Sequence, residues 1–350
     1  MHNLQLTDDQ TLILDTVKKF VLETVAPHVL DLDEHRAFAG DQFAGLAELG
    51  LFGIAVPEAS GGAGMGLVAL AAAAEEIGAQ SGSLARLLAA QVQCAVALAS
   101  AGSGPIDEIV AGSKRAVWVG PEFGIAAAGA SLRGVCELVP GAGEAELFVV
   151  AARGDGAGLY VVDAAAAQRT PCRSLGLASA APARLRFDGS SAALVASGAD
   201  AMTATDAADG AGWIAGAAAC VGMGRAAIAL SRKHAGERIA FGKPLLAQQA
   251  VVRKLVESQR GVDAARHLVY HAARLSDEGG DAAGTAMAAR IAAVDAAVLA
   301  ADEGIQIHGG FGYTVEYHVE RHYRDAKTIE VLDGGNDALK DRLAGLQFAG

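Results

Sequence analysis

A helical pattern at both ends of the chain is interrupted once, in the middle, and that order limits the possible folds more than any other feature. Thr7-Asp8-Asp9-Gln10 has the form of a capping box, with Thr7 as N-cap and Gln10 returning to its backbone. Leu12, Ile13, Val17, Phe20, Val21 and Val25 then recur at helical spacing until Pro27. Helices are expected again over 41–49, along the alanine-rich stretch that carries Glu75-Glu76, and over 84–99 before Gly102. Residues 56–66 are too glycine-rich to be anything but a loop.

The pattern changes from Lys114 to Ala196. Short β-prone runs at 116–119, 147–151, 159–162 and 183–187 are punctuated by Gly and Asp, as in a small antiparallel β unit. Beyond Asp200 long helices return. Val251, Leu255, Val262 and Val269 mark one; Met287, Ile291, Val294, Val298 and Ile305 mark another that stops at Gly309-Gly310. The expected fold is therefore α+β, with a helical N-terminal domain over 1–113, a small middle antiparallel β domain over 114–197 and a C-terminal four-helix bundle over 198–350.

Composition narrows the function. The 350 residues, 52% hydrophobic and 19% charged, suit a folded chain with a large core. A net charge of -12 argues against nucleic acid as a partner, although a local basic patch can still hold an anionic ligand. Cys94, Cys136, Cys172 and Cys220 form no CxxC pair, which suits reduced thiols in a cytoplasmic protein without disulfide frame or zinc site. His308 and His318 match no metal-binding spacing. No window reads as the run of about 18 apolar residues that would suggest a membrane span, and the first residues have neither the basic nor the apolar region of an export signal. Neither a metal nor a membrane is expected.

Five stretches carry chemistry. Pro57-Glu58-Ala59-Ser60-Gly61-Gly62-Ala63-Gly64 forms a loop in the first helical region. Arg238-Ile239-Ala240-Phe241-Gly242-Lys243-Pro244-Leu245, with Gln249 after it, lies in the third. Downstream come Gln306-Ile307-His308-Gly309-Gly310, Tyr323-Arg324-Asp325-Ala326-Lys327 and Asp333-Gly334-Gly335-Asn336-Asp337. Taken singly, each has an ordinary reading. Arg238 suits a solvated salt-bridge residue, Gly309-Gly310 a helix C-cap, and Asp333–Asp337 a turn before a helix N-cap.

In their order and spacing, the motifs resemble those of the acyl-CoA dehydrogenases over nearly the whole chain. The resemblance implies an FAD cofactor shared between subunits, and hence a homo-oligomer or a hetero-oligomer with a related subunit. It assigns Arg238 to the pyrophosphate, where a fork-shaped cation is suited. Phe241 would lie near the flavin and Gln249 on the adenosine side. Gln306, Gly309 and Gly310 would supply an amide and bare backbone at the dinucleotide. It implies α,β-dehydrogenation of an acyl-CoA thioester. A carboxylate removes the Cα proton, hydride leaves Cβ for flavin N5, and electrons pass to an electron-transfer flavoprotein. Asp333 stands at the base position, with the N–H of Gly335 or Asp337 nearby.

The chain departs from the family pattern in several places. The usual base is Glu, and Asp withdraws the carboxylate by about 1.5 Å, where a misplacement of about 1 Å can cost about 10²-fold in rate. The position where some relatives carry the base falls at Gly212-Trp213, without a carboxylate; Asp206 and Asp209 read as helix-start acids. The Thr-Glu-Pro-Gly-x-Gly-Ser segment appears only as Val119-Gly120-Pro121-Glu122, and Leu138-Val139-Pro140-Gly141 replaces Trp-x-Thr. These losses also suit a non-catalytic or half-active subunit of a hetero-oligomer. An oxidase of nitroalkane type, where Asp is used at this position, is the other alternative. Arg225, Arg232, Lys233, Arg253 and Lys254 suit cofactor phosphates or the solvated faces of helices.

Overall fold

The computed structural model describes residues 6–348. Helix α1 (Asp8–Phe20) starts on the capping box: Gln10 N–H donates to Thr7 Oγ1 at 3.2 Å and Thr7 N–H to Gln10 Oε1 at 3.1 Å. The helix widens into a π turn over Val21–Val25 and gives way to α2 (Val29–His35) and α3 (Gly40–Glu48). The glycine-rich segment is a loop with one short turn, Glu58–Ser60. Two apolar helices follow, α4 (Gly66–Gln80) and α5 (Gly82–Ala101), the latter capped by Gly102 in the left-handed conformation. A short α6 (Ile106–Val110) leads to the sheets.

The middle of the chain forms two four-stranded sheets. β1 (Ala116–Val119), β4 (Leu147–Ala152), β5 (Gly158–Asp163) and β8 (Ala193–Ser197) make one, in the order β1-β4-β5-β8. β2 (Ala126–Ala128), β3 (Ser131–Val139), β6 (Gln168–Pro171) and β7 (Ala183–Ser191) make the other, in the order β2-β3-β7-β6. Pairing is antiparallel except between β1 and β4, which run parallel, so the first sheet is mixed. The long crossing from Val119 to Leu147 carries β2 and β3 into the second sheet, and this lets β1 and β4 align in the same direction.

Alternation along the first sheet divides the core. Val117, Val119, Phe148 and Val150 pack between the sheets with Leu132, Leu185 and Phe187. Trp118, Val149 and Leu159 point the other way, onto Leu98 of α5 and Ala201, Ala204 and Ala208 of the next helix. That helix, α7, runs 40 residues from Gly198 to Glu237. It packs on α4 and α5 and on α9 (Ala283–His308), which in turn packs on α8 (Gln249–Asp277) and α10 (Val319–Val331). A two-residue hairpin, β9 (Ile239–Ala240) with β10 (Lys243–Pro244), joins α7 to α8, and α11 (Gly335–Phe348) closes the chain.

Alanine and glycine at the contacts let these helices approach closely. A Cβ on Gly222 or Gly78 would collide with backbone of α4 or α7 respectively. One buried charge crosses this seam. Glu75 accepts hydrogen bonds from Arg225, from Arg266 Nε at 2.8 and 2.9 Å, and from the Tyr270 hydroxyl at 2.9 Å. Arg225 thus serves the bundle, and Lys254 pairs with Glu303.

One expectation is overturned. Stretches within Gly82–Ala101, Gly198–Glu237 and Ala283–Tyr313 are long and apolar enough to cross a membrane, by length and composition. Alanine makes each apolar without bulk, which is why no run stood out in the sequence. In the fold 78, 72 and 50% of those stretches, respectively, are buried inside the protein.

Candidate active site

Asp333 sits in the turn between α10 and α11 with φ of 57°, a left-handed conformation that is unusual for a residue with a side chain. Two glycines with positive φ, Gly334 and Gly335, complete the turn. Its carboxylate meets Arg86 of α5 in a two-point ion pair: Nη1 donates to Oδ2 at 2.9 Å and Nη2 to Oδ1 at 2.7 Å. The guanidinium is only 6% exposed, and its Nε has no hydrogen-bond partner. Arg290 of α9, 2% exposed, also acts on Asp333 through its charge; Nη2 donates to Ile329 O at 2.8 Å while Nη1 is unpartnered.

Two further carboxyls flank this pair. Glu122 lies on a short turn, Pro121–Phe123, directly after β1. Burial first, then the charges of Asp333 and Asp209, push its pKa up to about 8, against the opposing pull of its own backbone N–H and of Arg86. Asp209 is 5% exposed and accepts from Trp118 Nε1 at 3.3 Å. Burial is the main reason its pKa rises to about 6, opposed first by Arg342. Arg342 stands 3.6 Å from Asp209 Oδ2, with its guanidinium carbon 4.8 Å above the Trp213 ring. Asp209 is therefore not a helix-start acid. α7 begins at Gly198, so Asp206 and Asp209 lie two turns or more inside it, and Asp209 faces inward.

Two clefts open along α7, and neither is lined by Asp333, Arg86, Glu122 or Asp209. One, of about 540 Å³, is lined by Trp213, Ile214, Met287 and Arg342 among others. The second, of about 290 Å³, is lined by Pro121, Arg153, Met202 and Thr205. Asp206 lines both.

The other residues singled out in the sequence gather elsewhere. Arg238 ends α7 and Gly309 follows α9, and the His234 and His308 rings, stacked 4.3 Å apart, hold these two helix ends together. His308 Nδ1 is also 2.7 Å from Gly304 O. Arg238, Phe241, Gln249, Gln306, Gly309 and Gly310 are all exposed, Phe241 at 97%. Gly309 has φ 62° and ψ -138°, a conformation reserved for glycine, and a Cβ on Gly309 or Gly310 would meet open space. A guanidinium, two amides and uncovered glycine backbone are the donor set that a dinucleotide pyrophosphate requires, so these residues fit such a group. The remaining two are less open. Gly335 N–H is bonded to Leu332 O at 2.9 Å, and the Asp337 side chain pairs with Lys340 at 3.2 Å while its N–H lies in the first turn of α11.

Arg86 was missed in the sequence. Its signal was a lone arginine in the apolar run Leu84–Ala90, which a helix buries only with an anionic partner. Asp209 carried the same signal among the alanines and glycines of α7.

A family model described as acyl-CoA dehydrogenase, N-terminal domain, matches residues 7–105, and one described as acyl-CoA dehydrogenase, C-terminal domain, matches residues 211–345. A probable acyl-CoA dehydrogenase of Bacillus subtilis (strain 168) is 30% identical over 379 aligned positions, covering 96% of this chain and 97% of the relative. Benzylmalonyl-CoA dehydrogenase of Aromatoleum aromaticum is 30% identical and covers 97% of each chain. The solved structure of butyryl-CoA dehydrogenase from Megasphaera elsdenii aligns with a TM-score of 0.89 at 25% identity, covering 97% of this chain and 98% of that one.

Proposed function

Because this chain belongs to the acyl-CoA dehydrogenase family of oxidoreductases, we propose that it introduces an α,β double bond into an acyl-CoA thioester with FAD as cofactor. The observation that carries this reading is the Asp333 carboxylate, held by Arg86 in a two-point ion pair close to Glu122 and Asp209. Asp333 is the base that takes the Cα proton. A carboxylate in water is a weak base for a carbon acid, and the half-buried, positioned setting of Asp333 compensates by orientation. The substrate lies along the clefts, with Trp213 as an apolar wall. Arg238, Phe241, Gln249, Gln306, Gly309 and Gly310 hold the cofactor, aided by the backbone N–H of Asp337 in the first turn of α11. Bound FAD supplies the hydride acceptor, and an electron-transfer flavoprotein is the partner that reoxidises it. Ile239, Phe241, Tyr313 and Val315 are large exposed apolar residues around the same surface, which supports an oligomer that covers it.

The test is an anaerobic absorbance titration of the FAD-loaded protein with a panel of acyl-CoAs. Bleaching of the flavin by one class of thioester is the expected result and identifies the substrate. A flavin that no acyl-CoA bleaches overturns the reading. That outcome favours the partner-subunit alternative, for which the same ion pair speaks, since a carboxylate engaged at both oxygens is a hindered base.

A further inference from the structure

Arg86 commits both of its terminal nitrogens to Asp333, which leaves the neighbouring Glu122 without a cation bonded to it among the described residues. The two acids sit on segments in close contact, the Glu122 side chain lying over the backbone of the turn that holds Asp333. A Cβ on Gly334, the residue after Asp333, would stand 3.3 Å from Glu122 Cβ. The Glu122 carboxyl folds over Gly120, where any side chain would collide with it. The groups facing it are Asp333 from the α10–α11 turn, Asp209 from α7, Arg86 from α5 and the Cys136 thiol from β3. Two of these are carboxyls and the thiol is neutral, so a further full negative charge here is unfavourable, whereas a neutral carboxyl is not.

We propose that Glu122 is the acid of this site, donating a hydrogen bond from its protonated carboxyl to the thioester carbonyl oxygen while Asp333 removes the Cα proton. The assignment rests on the dehydrogenation reading above. A fixed neutral donor stabilises charge that develops on the carbonyl oxygen. In the step, the Cα–H bond breaks and its proton passes to an Asp333 oxygen. The electron pair moves toward the carbonyl oxygen, which receives the Glu122 hydrogen bond, and Glu122 keeps its proton. The pair then forms the α,β bond as hydride leaves Cβ for FAD, so the thioester is oxidised by two electrons and FAD is reduced by two. The pKa of about 8 supports this role, because the carboxyl is mostly protonated at neutral pH.

The experiment compares Glu122→Gln and Glu122→Leu with the parent in the FAD-loaded protein. Flavin reduction is followed by anaerobic stopped flow from pH 6 to 10. The parent rate should fall as pH rises through about 8. Glu122→Gln, which keeps a neutral N–H donor, should be about tenfold slower with no fall there. Glu122→Leu should be about 10²–10³-fold slower throughout, the usual cost of losing one such donor. A second readout is the infrared carbonyl band of a ¹³C-labelled thioester bound to each protein: shifted down in the parent and Glu122→Gln, unshifted in Glu122→Leu. Rates that rise through pH 8 and vanish in Glu122→Gln would make Glu122 the base and overturn the assignment, as would a Glu122→Leu protein at the parent rate. Should no acyl-CoA reduce the flavin, the dehydrogenation reading fails; the carbonyl band still decides the hydrogen bond by itself.

Discussion

Arg86 and Asp333 lie 247 residues apart in sequence and meet in a two-point ion pair, one on a helix of the N-terminal region and the other on the last turn of the chain. The pair fixes a carboxylate on a strained residue and spends the buried cation nearest to the site. Asp333→Asn keeps the shape and removes the charge. It should slow flavin reduction by about 10²–10⁴-fold, the usual contribution of a positioned base, while bound FAD absorbance is unchanged. Full-rate reduction in this variant would remove Asp333 from the mechanism.

Removing the cation has a different signature. Arg86→Met leaves a carboxylate beside Glu122 and Asp209 with its bonded cation gone, and loss of one partner of a buried pair costs about 3–5 kcal/mol. Adding Asp333→Asn should recover part of that loss, because the neutral amide no longer needs the cation. Urea unfolding of the two single variants and the double variant measures the coupling. Strict additivity would mean that the two residues do not interact in solution.

Stability should depend on pH through the buried acids. Glu122 at about 8, and Asp209 and Asp325 at about 6, are raised above their unfolded values mainly by burial, so the native state holds protons that the unfolded chain has released. Their contribution is full below the ordinary carboxylate range and is lost as pH rises through these values. His322, buried and held well below its ordinary value, acts in the opposite direction, with its own gain complete once pH passes ~6.5. Between about pH 7 and 8 Glu122 is thus the group that governs the slope among these four. Melting temperature should fall over that interval in the parent and stay level in Glu122→Gln.

Gly309 and Gly310 should respond differently to alanine. Neither would meet a neighbour, but Gly309 has φ of 62° with ψ of -138° and Gly310 is not in the left-handed region. Gly309→Ala should cost about 1–3 kcal/mol of stability and Gly310→Ala close to none. Thermal unfolding of the cofactor-free proteins checks this, and equal costs would contradict the backbone description.

Arg238→Ala should weaken FAD retention by more than tenfold without changing the melting temperature of the cofactor-free protein, since Arg238 is exposed. Arg238→Lys should recover only part, because a point charge cannot reproduce the fork. Flavin fluorescence on dilution measures both, and unchanged retention would return Arg238 to the role of a solvated side chain.

Local signals in the sequence were reliable where the structure is local. The Thr7 capping box, the stop at Gly102 and the end of α9 before Gly309-Gly310 each depend on a few adjacent residues. β1 has the expected limits, but β3 was not anticipated; Gly134 and two irregularities in its register hide the strand pattern. β6 is exposed along its length and so lacks an alternating signal. The parallel β1–β4 pairing depends on a crossing between sheets that no short window contains. At the site, a glycine-rich turn marked Asp333, whereas its counter-ion comes from a distant helix. Asp209 imitated a helix-start residue because the true start, after Ser197, lies in a run of small residues without a strong cap.

Helix α7 has a consequence for how far the chain can be divided. Its first turns cover the outer face of the first sheet, its middle fits between α4 and α5, and its last turns belong to the bundle with α9. Severing the chain between residues 197 and 198 would thus follow a clean break in sequence pattern and still produce two fragments with open cores, one missing its lid and the other its floor. The three regions are thus joined through α7, which lends a face to each of them.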